Sequence, residues 1–192
     1  MDNLLELIYT LGKNLGNEIT LRQLSKEAKV PYTTTHRIIK NNKNIFVINQ
    51  KGNIKLCSLN IKDTITKNYL ILAERKHAED FFKRNPILKL LTSDLPTGDY
   101  CLLIFGSRAQ ETSREKSDVD IMVINKNGQN FISFKKFEML YKIEVNSMFM
   151  TKKEFEEMLK DEEHNLGNEV IKKHIILYGE EYFWELIWKN GI

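Results

Sequence analysis

Two short stretches of the sequence combine residue types that handle phosphate groups. Gly106-Ser107 follows an apolar run, 100–105, that has the composition of a buried strand, and Asp118-Val119-Asp120 begins after ten intervening residues. Glycine at a strand end lets the backbone approach a ligand closely, and the serine amide and hydroxyl can hold a phosphate. Aspartates two positions apart on a strand share one face, about 7 Å apart along it. The pattern predicts a phosphate-holding turn beside a pair of carboxylates.

Carboxylates that face a bound polyphosphate need a cation between them. Hard oxygen donors favour Mg²⁺ or Mn²⁺, and such a set can form a two-metal site for phosphoryl or nucleotidyl transfer. A site of this kind usually has a third carboxylate from an adjacent strand. Glu144 fits, because it interrupts an apolar-rich strand predicted over 142–150, and Asn146 is predicted on the same face. Taken singly, a Gly-Ser turn is a common strand end and an Asp-x-Asp is commonly a solvated edge, so the spacing carries the prediction.

The stretch FGSRAQETSREKSDVDIMVI resembles, in residue type and spacing, the minimal nucleotidyltransferases of the superfamily named after DNA polymerase β. The resemblance covers residues 86–158. It implies a fold with a mixed β-sheet flanked by helices, a nucleoside triphosphate donor, with ATP expected, and release of pyrophosphate. It also implies roles for six residues: Asp118, Asp120 and Glu144 as catalytic metal ligands, and Gly106, Ser107 and Arg108 as nucleotide-binding residues.

The first 58 residues predict a different module. Three helices are indicated: one over 3–13, one that begins after a capping signature at Thr20 and Gln23, and one over 32–42. Two β-rich runs, 45–49 and 54–58, then flank a turn and predict a hairpin. This order predicts a winged helix-turn-helix. Thr35 and Ile39 are expected to pack inward from the third helix.

This module is predicted to bind duplex DNA. Residues 1–60 hold nine Lys/Arg and four Asp/Glu, whereas the rest of the chain holds 20 basic and 22 acidic residues. Hydroxyls and cations facing outward suit contacts with phosphates and base edges. The predicted DNA-binding residues are Tyr32, Thr33, Thr34, Arg37, Lys40 and, at the hairpin tip, Lys51. The alternative is a helical module that binds protein.

Together these patterns predict an α+β or α/β chain of two domains. The winged helix-turn-helix is expected over 1–60, a linking helix over 61–85, and a nucleotidyltransferase domain with C-terminal helices over 86–192. The linking helix either connects the domains or pairs with a second subunit in a homodimer.

Composition indicates where such a chain works. Hydrophobic residues make up 42% and aromatic residues 10% of the 192 residues, an ordinary globular balance. No apolar run approaches membrane-spanning length, and the first residues lack the pattern of a signal peptide. The two cysteines, Cys57 and Cys101, are far apart and lie outside any metal-binding motif. We therefore expect a cytoplasmic protein without a membrane partner.

The expected activity is Mg²⁺-dependent transfer of a nucleoside monophosphate, AMP from ATP, to an acceptor hydroxyl. The resemblance implies a partner toxin of the HEPN class as acceptor, with an antitoxin that represses its own operon through the DNA-binding module. The chain has no Arg-x4-His ribonuclease motif, so it would be the transferase of such a pair. Small drugs such as aminoglycosides are a second acceptor class. The alternative function is a transcription regulator whose nucleotidyltransferase fold senses nucleotide without catalysis.

Overall fold

The structure of the chain, a computed structural model, describes residues 2–110, 112, 117–160 and 166–189. It divides into two compact units. The first contains the chain up to Lys76 and the end of the last helix from Ile187, and the second runs from His77 to Leu186. Helices accompany two β-sheets, one of them mixed, as an α+β fold predicts. None of the helices in the described ranges has the length and apolar character needed to cross a membrane.

The first unit has three short helices and a three-stranded antiparallel sheet. In chain order they are α1 (Asn3–Gly12), β1 (Ile19–Thr20), α2 (Leu21–Glu27), α3 (Tyr32–Asn41), β2 (Phe46–Lys51) and β3 (Ile54–Leu59). β3 lies in the centre of the sheet, between β1 and β2. The sequence did not predict β1, because a two-residue strand has no periodicity of its own.

Local hydrogen bonds fix the joint between α2 and α3. Thr20 caps α2 by accepting the Gln23 backbone N–H at 3.1 Å, but the Gln23 side chain bonds Glu27 instead of returning to Thr20, so only half of the predicted capping box forms. In the turn, the Ser25 hydroxyl donates to the Val30 carbonyl at 2.7 Å. Thr35 and Ile39 are buried, as their helical spacing predicts.

A long helix, α4 (Thr64–Arg84), follows and contains the boundary between the two units. The sequence predicted that it would begin near residue 60. It begins later because 60–63 form a turn, in which the Asp63 carboxylate accepts the backbone N–H of Ile65 at 3.0 Å. The short helix α5 (Pro86–Lys89) and a 3₁₀ turn (Leu90–Thr92) come next and replace the single predicted helix over 86–92.

The second unit is built on a four-stranded sheet in the order β6-β5-β4-β7, in which β5 and β6 are parallel and the other pairs are antiparallel. Its remaining elements are β4 (Tyr100–Phe105), α6 (Gly106–Ala109), β5 (Val119–Asn125), α7 (Lys135–Tyr141), β6 (Val145–Thr151), α8 (Lys152–Lys160), α9 (Leu166–Lys172), β7 (Ile175–Tyr178) and α10 (Glu180–Lys189).

The two faces of this sheet pack against different helices. On the first face, Leu102 and Ile104 of β4 and the odd-numbered residues 119–123 of β5 join a buried cluster with side chains of α4, α5 and α7. On the second face, which the alternate residues of each strand form, α8 contacts β5 and β6. The rings of Phe155 on α8 and Phe183 on α10 lie 6.0 Å apart and are fully buried. Even-numbered residues of β5 therefore belong to the second face.

Two element starts differ from prediction near the candidate site. The helix expected over 131–142 begins at Lys135, and the strand expected from 142 begins at Val145. Lys142 adopts a left-handed conformation, φ 55°, which ends α7 and turns the chain toward β6. Glu144 consequently lies just before β6 rather than within it.

Candidate functional site

The end of β4 and the start of β5 meet at Gly106. Phe105 pairs with Asp120 across the two strands, and Gly106 then turns the chain with a φ of +68°. A Cβ atom built at residue 106 would stand 2.5 Å from the Oδ2 atom of Asp120. A side chain at this position would therefore displace the carboxylate. The glycine that the sequence placed in the turn is required both by its backbone conformation and by the adjacent aspartate.

Ser107 lies in the single helical turn α6 that starts at Gly106. Its carbonyl accepts the backbone N–H of Thr112 at 3.1 Å, and the Gly106 carbonyl accepts that of Gln110 at 3.2 Å. The side chain is half-buried, and its hydroxyl has no hydrogen-bond partner in the described ranges. Ser107 is thus held by its backbone, with a hydroxyl available to a ligand. Five of the ten residues between Ser107 and Asp118, 111 and 113–116, lie outside the described part of the chain.

Arg108 has a contact that the sequence did not predict. Its Nε donates to the carbonyl of Ser117 at 3.1 Å, and an Nη group donates to the same oxygen. This oxygen belongs to the residue immediately before Asp118. Arg108 therefore fastens α6 to the chain entering β5, and the structure gives it a positioning role. Its predicted contact with the nucleotide stays a prediction.

Asp118 and Asp120 lie at the start of β5, and their alternation places them on the same side. Asp118 is exposed and Asp120 is half-buried. The Asn146 side-chain amide, opposite Asp120 in the parallel β5–β6 pair, donates to Oδ1 of Asp120 at 3.4 Å. One oxygen of Asp120 thus faces Asn146, and the other faces the turn at Gly106. Asn146, which the sequence placed on the shared face, is a contact of the carboxylate itself.

The backbone of Glu144 bonds to the start of β5, between the two aspartates. Its carbonyl accepts the N–H of Val119 at 2.9 Å, so the residue lies beside the start of β5, and its side chain is exposed. Over the described ranges, no three carboxylate, imidazole or thiol groups come together in a cluster that could hold a metal ion. Asp118 and Asp120 fit a divalent cation by donor type, because both are carboxylates on one face. The role of Glu144 as a third ligand stays a prediction that its backbone position suits.

The predicted DNA-binding residues lie in the first unit. On α3, Tyr32, Thr33, Arg37 and Lys40 are exposed and Thr34 is half-buried. These side chains project from α3, the helix that follows the α2–α3 turn.

Lys51 at the end of β2 is exposed but paired. Its ammonium lies 3.1 Å from a carboxylate oxygen of Glu18. Asn49 donates to the other oxygen of Glu18. These hydrogen bonds, from Asn49 and then Lys51, hold the pKa of Glu18 below its usual value. A DNA phosphate that contacts Lys51 would therefore compete with the Glu18 carboxylate for the Lys51 ammonium group.

Comparison with known families finds one match, within the second unit. Residues 100–182 match the model of a family described as Polymerase beta, Nucleotidyltransferase. The match spans β4 through β7 and includes the Gly106 turn, both aspartates and Asn146. It supports membership of this segment in the nucleotidyltransferase superfamily. No match was found among curated proteins or among solved structures.

Proposed function

We propose, from the nucleotidyltransferase-type domain at residues 100–182, that the chain transfers a nucleoside monophosphate, AMP from ATP, to an acceptor hydroxyl. The observation that carries the proposal is the contact geometry at Gly106. A turn whose positive φ favours glycine stands against the carboxylate of Asp120, whose second oxygen is engaged by Asn146.

Each residue of the site has a task in this reaction. The backbone and hydroxyl of Ser107 bind the triphosphate, and Arg108 keeps the chain before Asp118 in place through Ser117. Asp118 and Asp120 would hold Mg²⁺, which when bound supplies charge neutralisation for the phosphates. The acceptor oxygen forms a bond to the α-phosphorus while the bond to the β-phosphate oxygen breaks and pyrophosphate leaves. Glu144, exposed beside β5, takes the proton of the acceptor hydroxyl.

The proposed acceptor is a partner protein, a HEPN-class toxin, on the resemblance of the Gly-Ser and Asp-x-Asp stretches to minimal nucleotidyltransferases. The first unit would bind the operator DNA of the same operon. The exposed hydroxyl and cationic side chains of α3 support this part, as does the excess of basic residues in the first 60.

The transfer activity is tested by incubating the full chain with α-³²P-labelled ATP, Mg²⁺ and the product of the neighbouring gene. We expect the label to move to the partner protein, and Asp118→Asn or Asp120→Asn to abolish the transfer, because each removes a carboxylate that the other cannot replace. Asp99→Asn is the matched control, since Asp99 is an exposed aspartate just before β4. Full activity in either site variant would refute the assignment.

Labelled ATP also distinguishes the proposed transferase from the alternative, a nucleotide-sensing regulator. A chain that binds labelled ATP and DNA but moves no label to any acceptor would be a nucleotide-sensing regulator. Replacing the partner protein with an aminoglycoside tests the second acceptor class.

A further inference from the structure

The end of β4 has a second neighbour besides β5. β7 pairs with β4 on the edge opposite β5, and the pair nearest the end of β4 joins Ile104 to Ile175. Because these two strands are antiparallel, following each chain by two residues leads to Gly106 at the turn and to Lys173 just before β7. The register therefore places the Gly106 turn between Asp120 on the β5 side and Lys173 on the β7 side.

A side-chain contact agrees with this register. The ammonium group of Lys173 donates to the Oε1 atom of Gln110 at 3.2 Å. Gln110 ends α6, and its backbone N–H bonds the carbonyl of Gly106 at 3.2 Å. Lys173 is thus connected to the turn through a single residue, although it is distant from the turn in sequence.

The backbone around Lys173 is held in place. Its N–H donates to the carbonyl of Glu169 at 2.9 Å, which continues the last turn of α9. The next residue, His174, is fully buried; its Nδ1 atom lies 2.6 Å from the Val170 carbonyl, and its ring lies 4.8 Å from that of Phe183. The Lys173 side chain is exposed. The fold therefore fixes the backbone of the lysine and leaves its ammonium group able to change partner.

The contacts of Lys173 leave its charge available to an anion. In the described ranges its partner is the neutral amide of Gln110, and no carboxylate lies at ion-pair distance. Arg108, the cation within α6, is turned instead toward the Ser117 carbonyl, next to Asp118. The β5 side of the turn thus presents the two aspartates, and the β7 side presents a lysine.

We propose that Lys173 binds the β- and γ-phosphates of a nucleoside triphosphate held at the Gly106–Ser107 turn, an inference that rests on the proposed transfer function. A phosphate oxygen carries more negative charge than the amide oxygen of Gln110. The ammonium group of Lys173 therefore exchanges this amide for phosphate in a stronger, charge-assisted hydrogen bond. Negative charge grows on the pyrophosphate as its bond to the α-phosphorus breaks, and a cation on the β7 side stabilises that leaving group.

The first measurement is nucleotide affinity, by isothermal titration calorimetry of the full chain in Mg²⁺ with α,β-methylene-ATP and with AMP. The methylene group prevents release of pyrophosphate, so the titration reports binding alone. Lys173→Gln should weaken binding of α,β-methylene-ATP by about tenfold, as loss of a hydrogen bond to a charged group does. Binding of AMP should not change, because AMP has no β- or γ-phosphate.

Two further variants test the position and the charge. Lys172→Gln is the matched control, because Lys172 is the neighbouring exposed lysine at the end of α9 and removes the same charge. It should bind both nucleotides as the wild-type chain does. Lys173→Arg keeps a cation that can bind phosphate, so it should recover most of the affinity that Lys173→Gln loses.

Single-turnover transfer of label from ATP tests the effect on the leaving group. At saturating ATP, Lys173→Gln should still transfer more slowly than the wild-type chain, because the departing pyrophosphate carries more charge than the bound triphosphate. An unchanged rate at saturating ATP would overturn the stabilisation of the leaving group.

The titrations decide the binding role separately from the transfer function. Equal affinity of Lys173→Gln and the wild-type chain for α,β-methylene-ATP would overturn the role of Lys173 and leave the transferase standing. An equal loss in Lys172→Gln, or an equal loss of AMP affinity in Lys173→Gln, would overturn it too. A wild-type chain that binds the analogue through Lys173 but moves no label would uphold this role and refute transfer. A wild-type chain that binds neither nucleotide would refute both.

Discussion

The residue that limits the candidate site most tightly is Gly106. Any side chain there meets Asp120 at 2.5 Å from the new Cβ, in addition to the strain of a positive φ. Gly52, at the tip of the β2–β3 hairpin, has a similar φ of +60° but no atom within 4 Å of a built Cβ. A substitution at Gly52 therefore tests backbone strain alone, whereas the same substitution at Gly106 adds displacement of the Asp120 carboxylate.

Gly106→Ala should lower the transfer rate by about a hundredfold, since a shift of about 1 Å in a reacting group costs that much. Gly52→Ala should leave the rate unchanged, although each variant loses about 1–2 kcal/mol of stability through the left-handed conformation. The measurements are single-turnover transfer and urea unfolding of both variants. Equal rates in Gly106→Ala and the wild-type chain would show that Asp120 can move without consequence.

Part of this site could be predicted from residue order and part could not. The Gly-Ser turn and the shared face of Asp118 and Asp120 follow from strand periodicity, which acts over a few residues. The contact of Arg108 with the Ser117 carbonyl joins residues nine positions apart, and local sequence pattern does not indicate which backbone group such a side chain reaches. Glu144 was expected inside a strand, but β6 begins only at Val145, after a turn at the left-handed residue Lys142. A left-handed turn is usually signalled by glycine, and the sequence has a lysine there, so the turn could not be predicted.

At the scale of elements, the β2–β3 hairpin is fastened to the chain before β1. Glu18 bonds both Asn49 and Lys51 of β2, so the cation predicted to contact DNA is shared with a carboxylate. Since these bonds lower the pKa of Glu18, it stays ionised as pH falls below the usual range of a glutamate. At neutral pH, Glu18 therefore carries its negative charge beside Lys51.

Glu18→Gln should therefore raise the affinity for DNA at low salt, because it removes a negative charge beside the phosphates and releases Lys51. Glu27→Gln is the matched control, an exposed glutamate on α2. The measurement is anisotropy of a labelled duplex taken from upstream of the gene, in a series of salt concentrations. Unchanged affinity in Glu18→Gln would place the hairpin away from the DNA.

Helices and strands with strong periodicity were predictable, and those defined by pairing were not. The apolar run of β4 and the facing pattern of α3 predict the buried residues that the structure shows. The partners of the strands come from contacts distant in sequence: β1 is a strand only because it pairs with β3, and β7 lies beside β4 rather than beside its neighbour in sequence. Periodicity reports which side of an element is buried, not what buries it.

At the scale of the whole molecule, the proposed activities belong to different units. The cations of α3 lie in the unit before Lys76, and the turn and carboxylates lie in the unit that begins at His77. No residue is proposed to act in both activities. Substitutions in one unit should then leave the chemistry of the other intact.

Arg37→Ala and Lys40→Ala should each weaken DNA binding and lower the slope of log K against log salt by about one, with transfer unchanged. Asp120→Asn should abolish transfer and leave the affinity for DNA within about twofold. Both readouts are made on the full chain. Loss of DNA binding in a folded Asp120→Asn variant would show that the two activities are coupled, and a chain that binds no duplex at 50 mM salt would remove the DNA-binding half of the proposal.

The place of β7 in the sheet has a consequence for how the chain is made. β4 occupies the interior of the sheet and pairs on one side with β7, through Leu102–Tyr178, Leu103–Ile176 and Ile104–Ile175. On the ribosome, β4, β5 and β6 emerge well before that partner is translated. During this interval one edge of a strand whose central residues are wholly apolar has no hydrogen-bonding neighbour, and such edges recruit other chains. Newly made protein should therefore be most prone to aggregate, and most dependent on chaperones, in the interval that ends when Tyr178 leaves the exit tunnel.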